Sequence, residues 1–405
     1  MGEIAKTINT KKNKKFHGEY LLAIYIWGFV LLRPFIKMFP NFSFGILAIF
    51  ASVIIGISLL LLLFGISSVN YRTYTLLLIV LVFILLDLLI RPNNLTIQYM
   101  YDFLIYGATP IHLLTYVKNY KKFLSMFSYL SILSLILFIN DPLRGYPVFD
   151  DYMLYGFSLM LPAYIGIYLS RVFLGKRHFI IFEIISIAYI LIYSNRSVLL
   201  SVIFLWILTN SLYYAKKRST LKNSIIFTAF MLLIVFFSKG LQFIVYITSL
   251  LNINSYSLHQ YNLYLQTGNV EELFSGRIFI WDNALILIKN SNLFGYGIGY
   301  FEYYLGYYTH NVFLDFLLNY GLIVASIIML ILLYMLLRMY RLKSYHLGIT
   351  ILFLAMWFPK LFLSSHYMQD IYFWLFAGIS LRKLYIEEKF DSSDKDERKE
   401  CEVAI

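Results

Sequence analysis

Apolar residues run along this chain in stretches of about 20, divided by short polar turns, and a helix of that length crosses roughly 30 Å of hydrocarbon. Twelve such stretches are predicted, at 19–37, 43–66, 73–91, 99–118, 122–140, 152–174, 178–194, 196–215, 223–247, 311–339, 345–364 and 368–383. The fourth is interrupted by Gln98, Asp102, Pro110 and His112, and the seventh and eighth are nearly fused. The pattern predicts an all-α polytopic membrane protein of about 12 transmembrane helices, with a large extracytoplasmic loop carrying an amphipathic helix. The expected order is a basic N-terminus over 1–18, helices one to nine over 19–247, the loop over 248–310, helices ten to twelve over 311–383 and a charged tail over 384–405.

Composition supports this class: 60% of the 405 residues are hydrophobic, 14% are charged and the mean hydropathy is +0.71, values that exclude a soluble domain of this length. Basic residues gather in alternate connections, at Lys11 to Lys15, Arg72, Lys118 to Lys122, Arg171 to Arg177, Lys216 to Arg218, Arg338 to Lys343 and Arg382 with Lys383. The positive-inside rule then places both termini in the cytoplasm and the 248–310 loop outside, with Arg196 emerging on the outer side. The net charge of +12 is therefore a topology signal, and no nucleic-acid partner is expected. The first apolar stretch lacks a small-residue cleavage pattern and reads as a retained anchor.

The single cysteine, Cys401, excludes an intramolecular disulfide and a multi-cysteine metal site. A phosphate loop, HExxH, GxSxG and clustered acidic ligands are all missing, which argues against a pump, a metalloprotease or a serine hydrolase. No metal and no cofactor are expected. Hydropathy shows no repeat at half-length that would recommend an inverted-repeat transporter.

The candidate chemistry lies between Ser275 and Gly321. Ser275 can cap a helix whose apolar positions Ile278, Trp281, Leu285 and Ile288 share one side, opposite Asp282, Asn283 and Lys289. Such a helix would lie flat on the membrane surface, with Trp281 at headgroup level. Arg277 in its first turn would add guanidinium donors to free backbone N–H groups, a combination suited to a diphosphate, or it would snorkel to lipid headgroups. Gly295, Gly297 and Gly299 either bring backbone close to a ligand or form a tight re-entry turn. The tyrosines from Tyr300 to Tyr308 suit sugar faces or the membrane interface.

His310 and Asn311 open the tenth span, and Asn311, Asp315 and Asn319 recur every four residues as a polar stripe, either lining a cavity or bonding neighbouring helices. His310, at the mouth, is the candidate to take a proton from an attacking hydroxyl. His17, His112, His178, His259, His346 and His366 read as interfacial or loop residues. Arg196, in a Ser-Asn-Arg-Ser turn between two short spans, requires a counter-charge or an anionic ligand. Arg33, Arg91 and Lys239 read as anchors, and Asp87, Asp102 and Glu183 as buried acids without an assigned role.

Three motifs give the chain a likeness to a known family. They are SNRSVLL around Arg196, the G-R-x-x-x-W run from Gly276 to Trp281 followed by G-x-G-x-G, and His310-Asn311 with Gly321 further on. In this order they resemble the O-antigen polymerase and O-antigen ligase superfamily of bacterial envelope glycosyltransferases, over roughly 150–340. The resemblance implies metal-independent transfer of a sugar chain from an undecaprenyl-diphosphate carrier at the outer face of the cytoplasmic membrane. Arg277 and Arg196 would clamp the diphosphate. His310 would activate the acceptor hydroxyl, Asn311 and Asp315 would hold it, and Gly276, Trp281, Gly295, Gly297 and Gly299 would complete the substrate site. Implied partners are the undecaprenyl-diphosphate-linked oligosaccharide, membrane lipid, a flippase and a chain-length regulator. Val324, where a ligase pattern carries Gly, Thr or Tyr, favours a polymerase of capsule, exopolysaccharide or O-antigen repeat units. A ligase acting on lipid A core or another acceptor, and a lipid-linked oligosaccharide flippase, stand as the alternatives.

Overall fold

The computed structural model describes residues 18–39, 45, 49–50, 52–56, 71–214, 246, 263–264, 266–268, 276–291, 293–342 and 344–382. The predicted spans at 43–66 and 223–247, the cap at Ser275, and Cys401 fall largely or wholly outside these residues. The described residues form helices and contain no strand.

The helices are α1 (Gly18–Leu31), α2 (Arg33–Met38), α3 (Tyr71–Ile90), α4 (Asn94–Asp102), α5 (Thr109–Leu114), α6 (Tyr120–Phe138), α7 (Tyr152–Tyr155), α8 (Leu161–Leu174), α9 (Ile180–Tyr193), α10 (Arg196–Thr209), α11 (Arg277–Asn290), α12 (Tyr300–Leu305), α13 (Val312–Met339), α14 (Ser344–Leu363) and α15 (Ile371–Leu381). Among the described residues, five helical runs are long and apolar enough to cross a membrane: Gly18–Met38, Tyr120–Arg144, Tyr152–Leu174, Val312–Met339 and Tyr345–Leu363. Shorter apolar helices occupy Tyr74–Ile90, Ser197–Tyr213 and Ile371–Leu381. The predicted fourth span is three pieces, α4, a π-helical stretch over Phe103–Ala108, and α5. Pro110 sits in the first turn of α5, where its missing N–H costs least.

An Asn or Asp stands just before many of these helices and accepts from the first free N–H groups. Asn93, Asn119, Asp151, Asn195, Asn311 and Asp370 all do so. Water cannot satisfy those donors near hydrocarbon, so the caps set where each helix begins.

The centre of the bundle is α8, α14 and α15. Leu161 to Ser170 and Ile371 to Ser380 are buried without interruption. Helix α8 packs on α6, α9 and α14, and α15 packs on α14, α5 and α13. At the periphery, Leu78, Leu89 and Ile90 of α3 and Leu322, Leu330 and Leu337 of α13 are exposed, the apolar surface expected of helices that face lipid.

The two ends of the bundle differ. At one, Arg382 donates to the carbonyls of Leu114, Thr115 and Val117, Lys176 donates to Ser125, and Glu19 accepts from the N–H groups of Lys118 and Asn119. This end collects the basic residues that the charge pattern grouped together. At the other lie Arg33 and Lys37 against Asp150, the 141–151 loop, Asn195, the 276–311 segment and the 364–370 turn. The acids read from sequence as buried acquire partners, though of the three only Asp102 is buried: Glu183 takes a two-pronged bond from Arg171, Asp102 accepts from Gln369, and Asp87 accepts from the N–H of Ile298.

Candidate functional site

The site is built where α11 meets the turn before α13. Helix α11 starts at Arg277, directly after Gly276 in the left-handed conformation (φ 76°). It packs on α13 through Ile280, Ala284, Leu287 and Ile288. The predicted apolar face is therefore shifted: Leu285 is exposed, whereas Asn283, assigned to the polar side, donates to the hydroxyl of Tyr307 at 3.3 Å. Hydrophobic residues cover both sides of α11, so spacing alone could not choose the packed one.

Trp281 turns its indole N–H onto the carbonyl of Thr309 at 3.1 Å, tying α11 to the turn that carries His310. His310 has φ 55°, a left-handed conformation that costs a non-glycine residue on the order of 1 kcal/mol or more. Its neighbours hold it there. The Thr309 hydroxyl accepts from the N–H of Asn311 at 3.1 Å and lies 2.7 Å from the buried carboxylate of Asp315, while the Asn311 side chain caps α13. Asn311 and Asp315 thus shape the turn with the very groups expected to meet substrate.

The His310 ring packs on Tyr308, centroids 4.0 Å apart. Tyr308 donates to the carbonyl of Ser364 at 2.9 Å, and the Ser364 hydroxyl is 3.4 Å from that of Ser197, the second residue of α10. Arg196, the first residue of α10, is thereby brought to the same end as Arg277 and His310, although the three lie far apart in sequence.

Burial, and then the Arg277 charge, push the His310 imidazole down to about 4. Burial raises the Tyr308 phenol to about 12 against the opposing pull of Arg277. His310 is therefore neutral near pH 7 and able to accept a proton. Its Nδ1 is buried with no hydrogen-bond partner among the described residues. An anion on Arg277 would cancel part of the downward push and make the imidazole more basic.

His366, read from sequence as a loop residue of no special setting, is buried beside Asp315. Its ring stacks on Tyr99 at 4.1 Å, Nδ1 accepts from the N–H of Met368, and Nε2 is 3.9 Å from an Asp315 carboxylate oxygen. Burial holds this imidazole down to about 3, so at neutral pH the ring is neutral and its contact with Asp315 is not an ion pair. Nothing in a loop of mixed residues signals this role, which depends on α4 lying alongside. Asn319 donates to the Tyr367 hydroxyl at 3.3 Å, so the lower part of the polar stripe joins helices, the second of its two sequence readings.

The glycine run sits elsewhere. Helix α13 is broken at Gly321 (φ 71°, ψ 178°), which frees the carbonyls of Leu318 and Asn319 from the helical ladder. These accept from the N–H groups of Tyr296 at 2.7 Å and Gly297 at 3.1 Å, while the Ile298 N–H goes to Asp87 at 2.7 Å. Three consecutive donors of the run are thus used inside the protein, which matches the re-entry turn and leaves those donors unavailable to a ligand. Gly295 is buried against the break in α13, Gly297 against Asp87, and Gly299 against Leu95 and Tyr99 of α4.

Thr309→Val removes the hydroxyl that links the turn to Asp315. The buried carboxylate loses a donor, at an expected cost of about 1–3 kcal/mol. A thermal melt of the purified protein should fall by several degrees. An unchanged melt would mean that other groups hold the turn.

Residues 181–329 match a family model described as O-Antigen ligase. The matched stretch contains Arg196, Arg277 and His310 and stops short of Ser364 and His366. No curated protein and no solved structure matches the chain.

Proposed function

On the premise that the chain is a member of the O-antigen polymerase and ligase superfamily, as the match over residues 181–329 supports, we propose that it joins lipid-diphosphate-linked oligosaccharide repeat units into a longer chain at the outer face of a bacterial cytoplasmic membrane. The observation that carries this reading is the convergence of the Arg277 helix, the His310 turn and the Arg196 helix start around Tyr308 and Ser364. Arg277 and Arg196 would supply positive charge for a diphosphate. His310 supplies a neutral imidazole beside that charge.

In the proposed step the acceptor hydroxyl attacks the anomeric carbon of the donor sugar. A glycosidic C–O bond forms as the bond from that carbon to the phosphate oxygen breaks, and the lipid diphosphate leaves with the electron pair. The hydroxyl proton passes to His310, while the arginines offset the charge growing on the leaving group. The reading needs no metal. A ligase would use the same donor chemistry with a different acceptor, and the description of the matching family favours keeping that second reading. The side on which the basic end lies is assigned here as the cytoplasm from its arginines and lysines.

The test is the size distribution of surface polysaccharide in a deletion strain complemented with wild type, Arg196→Ala, Arg277→Ala or His310→Ala at matched membrane levels. Polymerase activity predicts loss of long chains while single repeat units still reach the surface. Accumulation of lipid-linked polymer with no attached glycan would mean ligase. Wild-type ladders from all three variants would refute the site.

A further inference from the structure

A cavity of about 560 Å³ opens beside the site, enclosed by α1, α2, α4, the π-helical stretch after it, the 151–158 segment, the end of α14 and the start of α15. Its size is that of a small-molecule site. Arg33, Asp102, Lys360 and Gln369 reach its wall, together with the aromatic rings of Tyr106 and Phe157. None of these residues belongs to the stretch that matches the family model.

The polar groups are arranged as fixed pairs. Lys360 is held by Asp370 at 2.7 Å, Gln369 donates to Asp102 at 2.9 Å, and the Arg33 guanidinium is 3.9 Å from Asp150 and lies over Phe149. Because each cation already faces an acid, the cavity presents no net positive trap for a diphosphate. It presents instead alternating donors and acceptors between aromatic rings, the combination that binds a neutral polyhydroxyl compound. Tyr106 and Phe29 pack with centroids 5.3 Å apart, making a firm apolar wall beside these groups.

The cavity and the proposed reaction site share one residue. Ser364 lines the cavity, while its carbonyl accepts from Tyr308, on which His310 packs. A sugar held in the cavity would therefore be separated from Tyr308 and His310 by Ser364. We propose that this cavity binds the terminal saccharide of the acceptor and presents its hydroxyl toward His310. The proposal rests on the glycosyl-transfer reading for the word acceptor, but not for the binding of a saccharide.

The test uses the purified full chain and, as probe, the soluble repeat-unit oligosaccharide released from the lipid carrier of the producing strain. Binding is measured by calorimetry for wild type, Gln369→Ala, Asp102→Asn and Arg277→Ala, with thermal melts as the folding control. Loss of the Gln369 amide, or of the Asp102 charge, should weaken binding of the probe about tenfold in Gln369→Ala and in Asp102→Asn, while Arg277→Ala binds as wild type does. Wild-type affinity in both cavity variants, no binding by the wild type, or loss confined to Arg277→Ala would each overturn the proposal. If the cavity variants lose binding yet His310→Ala and Arg277→Ala still make normal polymer, the saccharide site stands and the glycosyl-transfer reading falls.

Discussion

Gly321→Ala is expected to unseat the junction between α13 and the glycine run, with a loss of stability on the order of 3 kcal/mol or more. Gly321 occupies a backbone region (φ 71°, ψ 178°) that only glycine enters without strain. A methyl group there would also fall inside contact distance of the Leu293 carbonyl and the Gly295 amide, and both are backbone that cannot rotate away. The reciprocal substitution, Gly295→Ala, meets the Gly321 amide and the Leu318 carbonyl. Hydrogen exchange of the Tyr296 and Gly297 amides reads the junction directly. Both should exchange much faster in Gly321→Ala, with a lower melting temperature. Protection equal to wild type would show that α13 is held open by something other than these bonds.

Arg277→Ala should reduce the transfer rate by roughly 10²–10³, the range for loss of one preorganised charge or donor at a developing anion. A second effect identifies the mechanism. Arg277 lowers the His310 imidazole, so its removal moves that group upward from about 4, although burial, the larger cause, remains. The neutral imidazole is the reactive form. In wild type, kcat/KM should therefore hold as the pH falls below neutrality and decline only toward about 4. In Arg277→Ala the residual activity should decline at a higher pH. An acid limb at the same place in both proteins would separate His310 from the limb, or Arg277 from His310.

Five of the twelve spans read from hydropathy are found among the described residues as runs long and apolar enough to cross a membrane, because one quantity, apolar length, governs that property. The runs at 152–174, 311–339 and 345–364 correspond closely to Tyr152–Leu174, Val312–Met339 and Tyr345–Leu363. The same quantity is blind to packing direction. Helix α11 has apolar residues on several sides, and only the approach of α13 decides that Ala284 is buried and Leu285 is not. Arg277 and His310 stood out in the sequence as candidates because polar residues beside long apolar runs are costly and few. The turn made by the glycine run was legible as well, but its bonding partners were not, since they are carbonyls freed at Gly321, which lies well beyond the run in sequence. His366 was hidden for a related reason: its neighbours Tyr99 and Asp315 come from two distant helices.

The break in α13 also bears on how the protein meets bilayers of different thickness. Beyond Gly321 the helix exposes Leu322, Ile327, Leu330 and Leu337, the part that a change in hydrocarbon thickness would tilt. Above it, Asn311 and Asp315 are bonded into the His310 turn, and Leu318 and Asn319 are bonded to the glycine run. With no continuous ladder of hydrogen bonds across the break, tilt of the lipid-facing half is taken up at Gly321 rather than passed to the imidazole. The reactive turn is in this way mechanically insulated from the composition of the membrane around it.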